Sequence, residues 1–252
     1  MQANIGGIVP LSTVDWHGRS AVVIFFEGCP FRCGYCHNHH LLDAAHPVDS
    51  ERVQKRILES KPFVSAVVFS GGEPLLQAAA VEEIAAFSKA NDLRVGIHTN
   101  GFYPEAVSDL INKGLADKFF IDIKAPLTLP SHEKVIGFSS PTAAPNIAES
   151  IKIVDSSSLE LEVKTTVFPD IAGSKEDIRL IAKWLSGNVL QKQKMTYVLQ
   201  QGKGQNTNDS AFQEMAFLSP AEMDELAKTT LQNLEGAAVF TQTDEEGRVG
   251  KF

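Results

Sequence analysis

Short apolar runs bounded by turn residues alternate along the chain with longer stretches whose apolar residues recur at helical spacing. This is the pattern of repeated βα units that pair into a parallel sheet. The runs predict strands at 21–26, 66–70, 93–98, 118–123, 160–167 and 194–200. Helices are predicted at 49–60, opened by the Asp49-Ser50 cap signal, at 75–90, rich in alanine, and at 103–112, with Pro104 in its first turn. Further helices are predicted at 145–156 and 174–186, and Ser219-Pro220 opens a last one running to about 234. Six strands each followed by a helix suffice for a partial, open (β/α)6 barrel of the α/β class, with right-handed crossovers placing every helix outside the sheet. In such folds chemistry gathers at the C-terminal ends of the strands, so the segments just after them hold the candidate residues.

A chain of 252 residues with 43% hydrophobic composition can bury a substantial core as one unit. A single domain over 1–252 is expected, with its core at about 6–200 and a helical extension at about 201–252 in which no motif is legible. The formal charge of -8 argues against a nucleic-acid groove, which needs a basic stripe to displace phosphate counterions. Residues 1–10 lack the basic start and apolar centre of a signal peptide, and no apolar run approaches the roughly 20 residues needed to span a bilayer. A cytoplasmic location without membrane attachment is expected.

The only three cysteines, Cys29, Cys33 and Cys36, share one loop, Gly28-Cys29-Pro30-Phe31-Arg32-Cys33-Gly34-Tyr35-Cys36-His37-Asn38. Disulfide pairing is disfavoured by the odd count and the local spacing. Soft thiolates favour zinc or an iron-sulfur cluster. A zinc site would take His37, His39 or His40 as its fourth ligand, whereas a four-iron cluster held at three corners leaves one iron open to a small molecule.

Three further strand ends carry candidate chemistry. In Ser70-Gly71-Gly72-Glu73-Pro74 the glycines let backbone approach a ligand and Pro74 starts a helix, although an ordinary βα turn reads the same way. Asp122 and Lys124 in Ile121-Asp122-Ile123-Lys124-Ala125-Pro126 lie two apart on a strand and face the same side. As a mere surface ion pair they would contribute at most about 1 kcal/mol. His98-Thr99-Asn100-Gly101-Phe102 ends another strand, and a lone histidine there is more often a hydrogen-bonded packing residue than a ligand. Lys164 shares a strand face with Glu162 and Thr166.

The cysteine loop, with aromatic Tyr35 before its third cysteine, and the Gly-Gly-Glu-Pro turn one strand later together resemble the radical S-adenosylmethionine (SAM) superfamily. The resemblance covers about 6–200 and implies a [4Fe-4S] cluster on Cys29, Cys33 and Cys36, whose open iron takes the amino and carboxylate groups of SAM. By the same resemblance Gly71, Gly72 and Glu73 hold the SAM amino group, Lys124 beside Asp122 contacts SAM, and Tyr35, Thr99, Asn100, Lys164 and Gln200 complete the cofactor-binding set. His98 stands where the family has an aspartate that helps bind a monovalent cation, a departure at that cation site. Cys-His-Asn, Thr-Asn-Gly-Phe and Asp-Ile-Lys-Ala-Pro are most similar to the glycyl-radical enzyme activating proteins, among them the activating proteins of pyruvate formate-lyase and of anaerobic ribonucleoside-triphosphate reductase. Relatives with an inserted ferredoxin-like domain need more cysteines than this chain has. The implied reaction is reductive cleavage of SAM, with an electron from flavodoxin or ferredoxin, to a 5′-deoxyadenosyl radical that takes a hydrogen atom from a glycine of a partner enzyme, anaerobic ribonucleotide reductase. A radical SAM enzyme acting on a small molecule would keep the same motifs.

Overall fold

The apolar runs at 21–26 and 66–70 fold as adjacent parallel strands whose side chains are almost all sealed from solvent. The computed structural model describes residues 1–128, 131–169, 173–205, 207 and 209–251. Its contacts gather into two compact units. Met1–Pro30, Asn38–Thr99 and Tyr103–Phe120 make the first, and Phe31–His37, Asn100–Phe102 and Ile121–Phe252 the second.

The first unit contains β1 (Gln2–Ser12), β2 (Ala21–Phe26), β3 (Pro47–Asp49), α1 (Ser50–Ser60), β4 (Ala66–Gly71), α2 (Ala78–Ala90), β5 (Arg94–Thr99), α3 (Pro104–Asn112) and the start of β6 (Lys118–Asp122). Strands β2, β4 and β5 are parallel neighbours, with Ala21 opposite Ala66 and Ala66 opposite Arg94. Antiparallel β1 and β3 extend the sheet beyond β2. These two strands were absent from the expectation because β1 is interrupted by Gly6, Gly7 and Pro10, all strand breakers, and β3 is only three residues long. Trp16, Ala21, Val23, Ala66, Val68 and Phe120 form a buried cluster, in which Trp16 meets Phe120 edge-on at 5.8 Å.

The second unit holds the end of β6, α4 (Ser131–Ile136), α5 (Ala143–Asp155), β7 (Glu160–Val167), α6 (Lys175–Asn188), β8 (Met195–Gln201), α7 (Ser210–Gln213), α8 (Pro220–Leu231), β9 (Ala238–Thr243) and β10 (Gly247–Lys251). Parallel β7, β8 and β9 are followed by β10, which returns antiparallel to β9. The extension expected to be helical therefore also carries two strands, a hairpin whose short polar runs give little apolar alternation to read. The Ser219-Pro220 signal holds: Ser219 and Glu222 form a full capping box at the start of α8. Among the described residues no helix is long and apolar enough to cross a membrane.

Candidate functional site

In the first unit the cysteine loop begins directly on the Gly-Gly-Glu turn. Gly71 has φ +115°, and a Cβ there would overlap the Phe26 backbone. A Cβ on Gly72 would overlap the Gly28 carbonyl oxygen and reach to 3.4 Å from the Cys29 Cβ. The Gly72 amide donates to the Phe26 carbonyl and the Glu73 amide to the Gly28 carbonyl, both at 2.8 Å. Asn38, beyond the third cysteine, donates its side-chain amide to the Gly71 carbonyl at 3.1 Å. Two glycines are thus required by contact, and the turn anchors the residues on both sides of the loop.

Glu73 is fully buried. Its Oε1 accepts from the Leu75 amide at 3.0 Å, capping the following turn, and from the Thr99 hydroxyl at 2.8 Å. The carboxylate therefore serves as an internal strut between two of the predicted strand ends. Tyr103, which the sequence marked only as a helix start, has its phenol pushed up to about 12 by burial and by the charges of Glu73 and Cys29. His98 faces the structural role expected of it: Nε2 bonds the Asp15 carbonyl at 2.8 Å, and the ring stacks on Phe120 at 4.1 Å.

The second unit holds Cys33, Tyr35 and Cys36. All three cysteines of the chain carry thiols. Burial pushes the Cys33 thiol up to about 11, against the opposing pull of Lys124. The Tyr35 hydroxyl is buried with no hydrogen-bond partner among the described residues, and burial raises its pKa strongly. The Lys124 ammonium lies 2.9 Å from Asp122 and 5.9 Å from the Tyr35 ring centroid. Burial alone would lower the lysine pKa, but the charges of Asp122, Tyr35 and Cys33 outweigh it and hold the group well above the ordinary range. Between the two charges, Ile123 is fixed to β7: its amide donates to the Lys164 carbonyl at 2.8 Å and its carbonyl accepts from Thr165 at 2.9 Å. His132 is fully buried, both its ring nitrogens lack partners among the described residues, and burial followed by the Lys124 charge lowers its pKa to about 4.

Asn100 is buried and its Oδ1 accepts the Phe102 amide at 2.9 Å, a local turn that shapes Gly101, which has φ +77°. Lys164 shares its strand face with Glu162, 3.5 Å away, and Glu162 is also gripped by Arg248. Gln200 is in register with Thr166, so it lies on that same face. The adjacent Gln201 points to the other face, donating to the Leu218 carbonyl at 2.6 Å and accepting the Asp244 amide at 3.0 Å. Arg248, Phe212 and His132 were not singled out from the sequence, since each is a lone residue outside any motif. His37 Nε2 bonds the Lys203 carbonyl at 2.7 Å. Among the described residues no three His, Cys, Asp or Glu side chains are drawn together as a ready-made metal site, so the case for the cysteines stands on donor chemistry and on the turn that seats their loop.

Comparison with known proteins matches residues 23–166 to the radical SAM superfamily. A Methanocaldococcus jannaschii protein described as a glycyl-radical enzyme activating enzyme is 31% identical across 96% of this chain and 97% of its own length. The pyruvate formate-lyase-activating enzyme of Clostridium pasteurianum is 28% identical across 72% of this chain and 76% of its own. In fold, the chain is similar to a radical SAM methyltransferase from Sphaerobacter thermophilus, with TM-score 0.71 at 12% identity, over 90% of this chain and 67% of that one.

Proposed function

Since the chain belongs to the radical SAM superfamily, and specifically to its glycyl-radical enzyme activating branch, we propose that it installs a glycyl radical on an anaerobic ribonucleoside-triphosphate reductase, with flavodoxin or ferredoxin as electron donor. The family's cofactors are a [4Fe-4S] cluster and SAM, which when bound supply one-electron reductive cleavage and hydrogen-atom abstraction. The residues of this chain fit both. Cys29, Cys33 and Cys36 offer soft sulfur ligands and leave a fourth position for SAM. The turn at Gly71 and Gly72, where no Cβ fits, presents bare backbone beside Cys29. In the second unit the Tyr35 hydroxyl, which has no hydrogen-bond partner among the described residues, offers a buried donor and acceptor.

Within this reading each side chain has a physical task. Gly71, Gly72 and Glu73 present backbone to the SAM amino group, and the buried Glu73 carboxylate holds the turn rigid through Leu75 and Thr99. Lys124, kept charged by Asp122, is the group for the SAM carboxylate. Asn100 shapes its strand end, and Lys164 and Gln200 share one face of the sheet, suited to polar parts of SAM or of the incoming glycine loop. The observation that carries the proposal is the seating of Gly28-Cys29 on the Gly-Gly-Glu turn, which joins the two most specific motifs by backbone hydrogen bonds.

The test is anaerobic reconstitution with iron and sulfide, reduction in the presence of SAM, and measurement of 5′-deoxyadenosine. An intact cluster that leaves SAM uncleaved would sink the reading. The partner is decided by electron paramagnetic resonance: a glycyl radical forms on anaerobic ribonucleoside-triphosphate reductase, and formation only on pyruvate formate-lyase would overturn that assignment.

A further inference from the structure

The segment following β8, to which no motif assigns a role, packs onto the arm of the cysteine loop that carries Cys33 and Cys36. Phe212 meets Tyr35 at 5.7 Å and Phe168 at 5.0 Å, and Tyr35 lies 5.2 Å from Phe168, so three buried rings close on one another. The fit leaves no spare room. A Cβ on Gly34, between Cys33 and Tyr35, would stand 2.7 Å from the Phe212 ring, and one on Gly202 would stand 2.5 Å from Phe168. Beyond Cys36 in the arm, His37 Nε2 bonds the Lys203 carbonyl at 2.7 Å. A carbonyl can only accept, so the hydrogen is on Nε2.

The segment is itself tied together. The Thr207 hydroxyl donates to the Gly204 carbonyl at 2.8 Å, Gln213 Nε2 to the Thr207 carbonyl at 2.7 Å, and the Phe212 amide to the Asp209 carbonyl at 3.0 Å. A preformed piece of chain therefore grips the loop at two points, on either side of Cys36.

We infer that Lys203, Gly204, Thr207 and residues 209–213 form a clasp that holds the Cys33–Cys36 arm in place before any metal arrives, with Phe212 as its positioning residue. The consequence for the enzyme rests on these cysteines being cluster ligands, but the clasp itself is read out on the metal-free chain. Its failure is therefore distinguishable from failure of SAM cleavage.

The experiment is alkylation of the metal-free, full-length chain with iodoacetamide under anaerobic conditions, each thiol followed by peptide mass spectrometry. Where a thiol reacts only after local opening, its rate follows the open population. Phe212→Ala is expected to raise the rates at Cys33 and Cys36 on the order of tenfold, since two ring contacts are lost, while Cys29 stays unchanged. Phe217→Ala, at an exposed ring beyond the clasp, is expected to change none of the three. Unchanged rates at Cys33 and Cys36, or an equal rise at Cys29, would overturn the inference. Hydrogen exchange on the unaltered chain tests it without a substitution. The Cys36 amide, bonded to the Cys33 carbonyl, and the Glu214 amide, bonded to the Ser210 carbonyl, are expected to open with the same free energy. A Cys36 amide that opens freely while Glu214 stays protected would equally overturn it.

Discussion

Arg248, on the last strand of the chain, grips Glu162 on β7 with two guanidinium nitrogens, each 3.1 Å from a carboxylate oxygen. Glu162 is fully buried and the Arg248 side chain is 11% exposed, so the pair is held away from water and stacked against Phe240 at 4.7 Å. Removing Arg248 takes away the two-pronged partner of a fully buried carboxylate and leaves it the Lys164 ammonium at 3.5 Å. Arg248→Met is therefore expected to cost about 3–5 kcal/mol in urea denaturation of the metal-free chain, as for other broken buried pairs. Adding Glu162→Gln is expected to cost less than the sum of the single changes, because no buried carboxylate is then left without its guanidinium. A single-variant loss near zero would show that the pair is not formed in solution.

The Thr99 hydroxyl donates to the buried Glu73 carboxylate at 2.8 Å. Thr99→Val keeps the shape and removes the donor, with an expected loss of about 1–3 kcal/mol. Denaturation of the metal-free chain measures it, and an unchanged midpoint would remove Glu73 from its role as strut.

His98 is committed to the Asp15 carbonyl and to the Phe120 ring, so this strand end is built for packing. His98→Asp is expected to destabilise the chain by about 1–3 kcal/mol, since it forfeits both contacts. SAM cleavage by the unaltered enzyme is expected to run equally in sodium and potassium salts. A clear preference for one ion would show that a cation binds despite the histidine.

Burial raises the Cys33 thiol from its ordinary 9.0 to about 11. The folded metal-free chain therefore keeps this proton after the unfolded chain has begun to lose it. Stability associated with Cys33 is present below pH 9.0 and is lost as pH rises from there towards about 11. Denaturation of the unaltered chain against Cys33→Ala across this window checks the sign: the substituted chain is expected to lose less.

Lys124 sits 2.9 Å from Asp122 and is held charged. Lys124→Met is expected to weaken SAM binding about tenfold or more while the cluster still assembles, the loss of one charge-assisted hydrogen bond. Titration of the reduced cluster with SAM, followed by electron paramagnetic resonance, measures it. Unaltered affinity would detach this lysine from the SAM carboxylate.

The amino-acid sequence makes legible whatever is written locally. Six apolar runs became β2 and β4–β8, and the Ser219-Pro220 signal became a capping box. The cysteine loop, the Gly-Gly-Glu turn and the Asp-x-Lys pair were readable because their chemistry depends on residues a few positions apart. Local reading ran out where a strand owes its existence to a distant partner. Strand β1 carries breakers yet pairs with β2, and the β9–β10 hairpin has little apolar alternation of its own.

The amino-acid sequence by itself determined the α/β class, the three cysteines and the strand ends at which the proposed cofactor residues lie, since periodicity and motif spacing survive without a fold. Only the tertiary structure decided how those pieces are held. Glu73 became a strut to Thr99, His98 a packing residue on Phe120, Arg248 the partner of Glu162, and Phe212 a neighbour of Tyr35. Each of these pairs is separated by between 22 and 177 positions and follows no repeat. Contacts of that kind arise from burial, which strips water from a polar group or ring and leaves it to whatever neighbour the folded chain provides.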